Sequence, residues 1–264
     1  MRKIILILFF AVVVVTAATT DTLHIFSKSM QKEINALIVI PEGVSAENRM
    51  PAVYLLHGYS GCYLDWSEHT DLKTLSEQFG VFIICPEGAF NSWYLDSPLQ
   101  KESQYETHII KEVIPYVDRH YFVIPQKKGR AITGLSMGGH GALYLAIRHP
   151  ELFAAAGSMS GVVDLEYSTK RWEIAQKIGR YAKYPQRWKR NSIINMVNRM
   201  RPENLSWLID CGIEDPFIEI NRSLHQKMIE QKIAHTYIER PGGHSWQYWK
   251  NALKYHLLFF QKQH

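Results

Sequence analysis

The centre of the chain carries the pentapeptide Gly134-Leu135-Ser136-Met137-Gly138, which has the pattern G-x-S-x-G. The run 130–133 before it can form a strand, and residues 139–149 after it can form a helix. The glycines permit a tight turn and let the helix pass close to the sheet. A strand, a sharp turn and a helix that together expose a serine hydroxyl form a nucleophile elbow. The stretch therefore predicts an α/β protein in which Ser136 is the candidate nucleophile.

Outside this stretch, apolar runs alternate with segments of helical spacing. This alternation predicts a mostly parallel central sheet with helices on both faces. Since the carboxyl ends of parallel strands share one edge, the loops after the strands should form the functional site. The predicted strands are 34–40, 52–56, 81–85, 130–133, 154–159, 205–211 and 234–239, and the other predicted helices are 71–79, 103–120, 217–231 and 246–260.

The composition is that of one folded domain. The hydrophobic content of 46% is enough for a core in a chain of 264 residues. The net charge is only +5, and the chain has no dense stripe of Lys and Arg with interleaved aromatics, so nucleic-acid binding is not expected. Its three cysteines, Cys62, Cys85 and Cys211, are widely spaced and indicate neither a disulfide framework nor a zinc site.

The N-terminus has the order of a secretory signal peptide. Arg2 and Lys3 precede twelve apolar residues, Ile4 to Val15, and small residues follow at 16–20. The alternative is a membrane-spanning helix, but such a helix needs about 20 apolar residues. We expect cleavage after residue 18, which leaves residues 19–264 as a secreted or periplasmic catalytic domain without a stable membrane anchor.

The segment 162–204 interrupts the alternation of strands and helices. It contains no convincing strand and is strongly basic, with ten Lys or Arg and four acidic residues. One interpretation is a mostly helical cap insertion over the active-site edge that shapes the substrate site. The alternative is a solvated surface excursion.

A serine nucleophile needs a general base, and the base needs a group that orients it. On a parallel sheet these partners come from later loops, in the order serine, acid, histidine. Among the twelve histidines, His244 alone follows a late predicted strand and precedes the last predicted helix. Pro241-Gly242-Gly243 before it gives a flexible backbone, so His244 is the predicted base.

The acid is expected in the loop after the strand 205–211. Asp215 lies at the tip of that loop, just before Pro216, and is the predicted orienting acid. Glu214 and Asp164 are the alternatives. A purely structural role for Asp215, as an N-cap of the helix that follows, also fits the Asp-Pro pair.

The tetrahedral intermediate of acyl transfer carries an oxyanion that needs positioned N–H donors. The backbone N–H of Met137 is one candidate, and that of Tyr59, in the glycine-rich loop 57–61, is the other. Aromatic side chains near these loops are candidates for the walls of the substrate pocket. They are Trp66, Trp93, Tyr94 and Trp246.

Four segments resemble the putative-esterase (esterase D-like) branch of the α/β-hydrolases: 55–61, 134–143, 211–215 and 241–246. The resemblance runs from about Ile34 to the C-terminus. That branch includes S-formylglutathione hydrolases, tributyrin esterases and feruloyl or acetyl-xylan esterase modules, with mycolyltransferases as distant relatives. The resemblance implies an α/β-hydrolase fold, the triad Ser136, Asp215 and His244, and oxyanion donors at Tyr59 and Met137. The signal peptide argues against the cytosolic S-formylglutathione hydrolases.

Together these observations predict a secreted serine carboxylesterase that works through an acyl-enzyme without a metal or an organic cofactor. Its expected substrates are short-chain acyl esters, or acyl and feruloyl groups on plant polysaccharide. Two alternatives stay open. One is an acyltransferase of the same fold, and the other is a catalytically inactive hydrolase fold that binds glycans.

Overall fold

The computed structural model describes residues 17–200 and 205–262. The predicted signal peptide, 1–18, therefore lies outside the described residues except for its last two positions. Residues 201–204 of the predicted insertion lie outside them as well. Within these two ranges, no helix has the length and apolar character needed to cross a membrane.

Eight strands of the described chain form one sheet, in the order β1-β2-β4-β3-β5-β6-β7-β8. Strands β3 to β8 run parallel to one another, whereas β1 pairs antiparallel with β2 and β2 antiparallel with β4. The strands are β1 Thr19–Ser27, β2 Lys32–Ile40, β3 Ala52–Leu56, β4 Phe82–Pro86, β5 Arg130–Gly134, β6 Ala155–Met159, β7 Ser206–Gly212 and β8 Thr236–Arg240. The mostly parallel sheet that the alternation predicts is thus present.

Helices cover both faces of the sheet because its central strands are apolar on both sides. Val53 and Leu55 pack into one core cluster, and the intervening Tyr54 packs into the other. The helices are α1 Asp65–His69, α2 Leu72–Phe79, α3 Tyr105–Thr107, α4 Ile114–His120, α5 Met137–Arg148, α6 Ile174–Ile178, α7 Pro185–Asn191, α8 Ile218–Glu230 and α9 Trp246–Gln261. Residues of α2 and α9 belong to the Val53 cluster, and residues of α5 and α8 to the Tyr54 cluster.

Three features differ from the sequence expectation or refine it. Strand β1 was not predicted. The predicted helix 103–120 is helical from Tyr105, but a π-helical segment, His108–Val113, joins α3 to α4. The insertion has no strand within 162–200, where α6, α7 and short 3₁₀ turns form its backbone.

The order of the strands creates a crevice at the carboxyl edge of the sheet. Strand β3 lies between β4 and β5, so the chain leaves β3 towards one side of the sheet and leaves β5 towards the other. Ligands of open α/β sheets bind at such a reversal of strand order. Leu56 at the end of β3 pairs with Gly134 at the end of β5, and this pairing brings the loop 57–61 next to the elbow.

Two buried histidines make the fold sensitive to acid. His140 on α5 and His256 on α9 are completely buried. Burial lowers the pKa of His140 to about 4, although its Nε2 donates to the carbonyl oxygen of Asn191 at 2.8 Å. Burial, reinforced by the charge of Arg240, lowers the pKa of His256 to about 3. Both rings are therefore neutral in the folded protein at neutral pH.

We expect the free energy of unfolding to fall as the pH drops from about 6.5 towards 4. In that window the unfolded chain binds a proton at His140 and at His256, whereas the folded chain does not. Each histidine then removes up to about 1.4 kcal/mol of stability per pH unit. Urea denaturation at pH 7 and pH 5 measures the loss, and His256→Gln should make the pH dependence shallower. An unfolding free energy that is equal at the two pH values would contradict the prediction.

Candidate active site

Ser136 lies in the turn between β5 and α5 with a strained backbone. Its φ of +53° and ψ of −115° are unfavourable for a residue with a Cβ, and such strain costs on the order of 1–3 kcal/mol. The surroundings hold it, since its backbone N–H donates to the carbonyl oxygen of Met159 at 2.9 Å. A Cβ on Gly138 would stand 2.5 Å from the carbonyl oxygens of Leu56 and His57, so only glycine fits there.

The three predicted triad residues meet at this turn. His244 Nε2 lies 3.0 Å from Ser136 Oγ, and His244 Nδ1 lies 2.8 Å from Asp215 Oδ2. Because the Asp215 carboxylate can only accept, Nδ1 carries the proton and Nε2 offers its lone pair to the serine hydroxyl. Asp215 is 2% exposed, and its Oδ1 accepts from the backbone N–H of Phe217 at 2.9 Å. Phe217 and not Asp215 is the N-cap residue of α8, so Asp215 holds the loop before this helix and contacts His244 with one carboxylate.

Backbone contacts join the loop that carries the acid to the loop that carries the base. These loops follow the neighbouring strands β7 and β8. Ile213 N–H donates to the carbonyl oxygen of Arg240 at 2.9 Å, and Glu214 N–H donates to that of Gly242 at 3.1 Å. The Glu214 carboxylate accepts in return from the backbone N–H of Gly242. Asp215 and His244 are therefore positioned by one connected structure.

The alternative acids have other roles. Glu214 holds the backbone of Gly242, as described above. Asp164 accepts from the backbone N–H of Glu166 at 2.9 Å and caps the 3₁₀ turn Leu165–Ser168. Of the three candidate carboxylates, Asp215 is the one that contacts His244.

The ring of His244 is fixed by two aromatic neighbours. Phe217 contacts it edge-on with ring centroids 4.9 Å apart, and Trp249 does so at 4.8 Å. Trp249 is itself anchored, because its Nε1 donates to Ser160 Oγ at 3.1 Å. Such packing limits the ring to an orientation that can reach both Ser136 and Asp215.

The loop after β3 lies against the elbow. A Cβ on Gly58 would stand 3.6 Å from Ser136 Cβ. Among the hydrogen bonds of residues 17–200 and 205–262, none uses the backbone N–H of Tyr59 or of Met137 as a donor to another protein group. Tyr59 lines the catalytic pocket, and Met137 follows Ser136 at the start of α5; their role as oxyanion donors stays a prediction.

Three of the four predicted pocket residues do not line the catalytic pocket. This pocket, of about 310 Å³, is lined by Ser136, His244 and Trp246 together with other residues of the loops. Trp66, Trp93 and Tyr94 are at most 1% exposed. The prediction that they line the pocket is therefore wrong, and that for Trp246 agrees with the structure.

These three aromatic residues support the site from beneath, because their polar atoms bond to its backbone. Trp66 Nε1 donates to the carbonyl oxygen of Leu56 at 3.0 Å, and Tyr94 Oη donates to that of His57 at 3.1 Å. These contacts hold the start of the loop that carries Tyr59. The sequence predicts pocket walls at these positions, but the side chains are buried, and their hydrogen bonds hold the backbone of the site in place.

Trp172, which is not among the predicted pocket residues, lines the pocket from the insertion. Trp172 and Glu173 both have a φ of +53°, which is an uncommon backbone region for non-glycine residues. Their conformation is fixed from outside the insertion. Trp93 Nε1 donates to the carbonyl oxygen of Trp172 at 3.1 Å, and Asn91 Nδ2 donates to the carboxylate of Glu173 at 2.6 Å. No local sequence signal marks Trp172 for this position, because contacts distant in the chain determine it.

Known proteins resemble this chain over most of its length. The family model described as Putative esterase matches residues 27–260. An acetyl esterase of Caldicellulosiruptor saccharolyticus is 30% identical, and the match covers 88% of this chain and 94% of the relative. A diacylglycerol acyltransferase/mycolyltransferase of Mycobacterium tuberculosis is 26% identical over 89% of this chain and 79% of its own.

Solved structures share the fold. A ferulic acid esterase superposes with a TM-score of 0.82 at 27% identity, covering 94% of this chain and all of its own. An S-formylglutathione hydrolase of Staphylococcus aureus superposes with the same TM-score at 19% identity, covering 93% of this chain and 100% of its own. These structures confirm the α/β-hydrolase fold that the sequence predicts.

Proposed function

The chain belongs to the Putative esterase family and is a serine carboxylesterase, and we propose that Ser136, His244 and Asp215 carry its reaction. One observation carries the proposal. A continuous contact runs from Asp215 Oδ2 through His244 to Ser136 Oγ, with steps of 2.8 and 3.0 Å, and it ends in an open pocket.

In the proposed mechanism, Ser136 Oγ attacks the carbonyl carbon of the ester while His244 Nε2 takes the hydroxyl proton. Asp215 holds His244 with its Nδ1 protonated and stabilises the imidazolium that forms. The backbone N–H groups of Tyr59 and Met137 stabilise the oxyanion. His244 then gives its proton to the alcohol oxygen, and the ester C–O bond breaks to leave an acyl-enzyme.

Water completes the cycle. His244 removes a proton from the water as its oxygen attacks the acyl carbonyl, and the proton passes to Ser136 Oγ as the acid leaves. In this mechanism His244 carries out every proton transfer of both half-reactions.

For the substrate, we propose short acyl esters on plant polysaccharide, with acetyl and feruloyl groups as the acyl part. Three observations support this choice. The 30% identical relative is an acetyl esterase, and a 27% identical structure is a ferulic acid esterase. Trp172, Trp246 and Trp249 give the catalytic pocket aromatic walls, which suit a planar acyl group or a sugar ring. A p-nitrophenyl ester chain-length series, run beside feruloyl esters and acetylated xylan, tests the substrate class.

A second candidate is acyl transfer to a sugar or lipid alcohol in place of water. The 26% identity to a diacylglycerol acyltransferase/mycolyltransferase over 89% of this chain favours it. Product analysis with and without an acceptor alcohol separates the two. A new ester that forms at the expense of the free acid would identify a transferase.

Export is also part of the proposal. The charged, apolar and small-residue order at 1–18 supports secretion or delivery to the periplasm. N-terminal sequencing of the exported protein tests this directly. Material that stays in the cytosol with its N-terminus intact would contradict it.

Trp172→Ala should raise the KM for feruloyl esters about tenfold, because loss of one aromatic contact costs roughly 1–1.5 kcal/mol. The kcat for p-nitrophenyl acetate should change little, since Trp172 does not contact the triad atoms. Steady-state kinetics on both substrates measure the difference. Trp172→Phe keeps an aromatic ring and is the matched control, and it should restore most of the affinity. An equal loss on acetate and ferulate esters would reject a role in acyl recognition.

A further inference from the structure

A second cavity, of about 390 Å³, lies at the far end of α5 from Ser136. We call it the basic cavity and define it by its four cationic lining residues, Lys111, Arg148, Arg187 and Arg190. They come from three elements that are distant in the chain: the π-helical segment His108–Val113, α5 and α7. Helix α5 has twelve residues and spans about 18 Å at 1.5 Å per residue, so this cavity is separate from the catalytic pocket.

The two acidic residues of the lining, Asp96 and Glu106, are already bonded. Both oxygens of Asp96 accept from Thr107, one from its backbone N–H at 2.9 Å and one from its hydroxyl at 2.6 Å. Glu106 accepts from Arg148 at 2.7 Å and from His149 at 2.8 Å. Burial would raise the pKa of Glu106, but these bonds outweigh it and hold the pKa below its usual value. Glu106 is thus an anion whose charge Arg148 balances, and Tyr144 donates a further hydrogen bond to it at 3.0 Å.

The other three cations have no acidic partner within the described residues. No ion pair with Lys111, Arg187 or Arg190 occurs in 17–200 and 205–262. Arg187 is nevertheless held in place, because its Nη1 donates to the carbonyl oxygen of Ile178 at 3.3 Å and its guanidinium lies 4.0 Å from the ring centroid of Tyr184. Four cations against two acids leave the lining with a surplus of positive charge. Like charges that line one cavity repel one another, and a bound anion relieves this repulsion.

We infer that the basic cavity binds an acidic sugar of the polysaccharide substrate, with the sugar carboxylate paired to Arg187 and Arg190. This inference rests on the proposed function only for the identity of the polymer. Guanidinium groups pair with carboxylates through two parallel hydrogen bonds. A volume of 390 Å³ is within the range of small-molecule sites.

The lining favours a uronic acid over a free phosphate. Asp96 and Glu106 also line the cavity, and their negative charge repels a multiply charged phosphate. Asp96 uses two of the about four acceptor sites of its carboxylate for Thr107, so it can also accept hydrogen bonds from the hydroxyl groups of a sugar. A ligand with one carboxylate and several hydroxyls matches both kinds of lining group. The site would hold the polymer at a distance from the ester that is cleaved.

Calorimetric titration with trigalacturonate, inorganic phosphate and xylotriose tests the inference. We expect trigalacturonate to bind most tightly, with an affinity that falls as salt is raised because the cations are partly exposed. The double variant Arg187→Gln/Arg190→Gln should weaken binding at least tenfold. Arg180→Gln/Lys189→Gln is the matched control, since it removes the same charge from exposed positions of the insertion outside the cavity. This control should bind as the unmodified protein does.

Three results would overturn the inference: no binding of trigalacturonate, an equal loss in the two double variants, or tighter binding of phosphate. The titration contains no ester, so its outcome is independent of catalysis. Turnover of p-nitrophenyl acetate should be unchanged in Arg187→Gln/Arg190→Gln. A protein that binds trigalacturonate but never hydrolyses esters would refute the proposed function and leave the basic cavity as a glycan site.

Discussion

Replacement of Ser136 with alanine is expected to lower kcat for p-nitrophenyl acetate by a factor on the order of 10⁶, to the rate that the remaining site supports. The variant lacks the hydroxyl that forms the acyl-enzyme, whereas the oxyanion donors and the pocket stay in place. Covalent labelling by a fluorophosphonate should disappear at the same time, because the probe forms its bond at the same oxygen. Kinetics and labelling of the purified protein measure both effects.

The fold should tolerate this change. Alanine keeps the Cβ, so the φ of +53° at position 136 is no more strained than with serine. The Ser136 backbone bond to Met159 is also independent of the side chain. The urea midpoint of Ser136→Ala should therefore stay close to that of the unmodified protein. Loss of activity then reports on chemistry and not on unfolding.

Ser160→Ala is a demanding control. Ser160 is also buried, also has a positive φ, and its hydroxyl contacts Trp249 beside the triad. Ser160 does not contact His244, so Ser160→Ala should lower kcat less than tenfold. If Ser136→Ala kept its turnover and its labelling, another residue would be the nucleophile and the proposed mechanism would fail. If the unmodified protein showed neither turnover nor labelling, the chain would be a catalytically inactive hydrolase fold.

The catalytic loops could be predicted because their chemistry requires particular residues in short stretches of sequence. The elbow needs glycines around Ser136, and the base needs a loop after a late strand, so His244 stands out among the histidines. Their meeting follows from the parallel sheet, which brings the ends of its strands to one edge. The first constraint acts within a few neighbouring residues and the second follows from the order of strands and helices, and both can be recognised in the sequence.

The pocket walls could not be predicted, since they depend on packing between distant segments. Trp93 and Trp172 are both tryptophans near a loop, yet one is 1% exposed and the other lines the pocket. Their surroundings differ through contacts that are distant in the chain, because Trp93 packs against His140 whereas Trp172 packs against Phe217.

Strand β1 is absent from the prediction for a different reason. Leu23 and Ile25 alternate with more exposed neighbours, but this short pattern lies directly after the predicted signal peptide.

The acid of the triad gives the second large effect. Asp215→Asn should lower kcat by roughly 10⁴ with little change in KM. An amide at this position can donate to His244 Nδ1, which then leaves the proton on Nε2, facing Ser136 Oγ. The ring in that tautomer cannot accept the serine proton. The amide oxygen can still accept from Phe217 N–H, so the loop before α8 should keep its conformation and the variant should fold.

Glu214→Gln is the matched control because Glu214 is the neighbouring carboxylate and the alternative acid. It contacts the backbone N–H of Gly242, and a glutamine oxygen can replace that acceptor. Its kcat should stay within a few-fold of the unmodified protein, since no proton of His244 depends on it. Measured side by side at constant pH, the two variants decide which carboxylate orients the histidine. Equal losses of kcat in the two variants would mean that both acids act by holding the two joined loops in place. A loss of kcat confined to Asp215→Asn identifies a tautomer effect at His244.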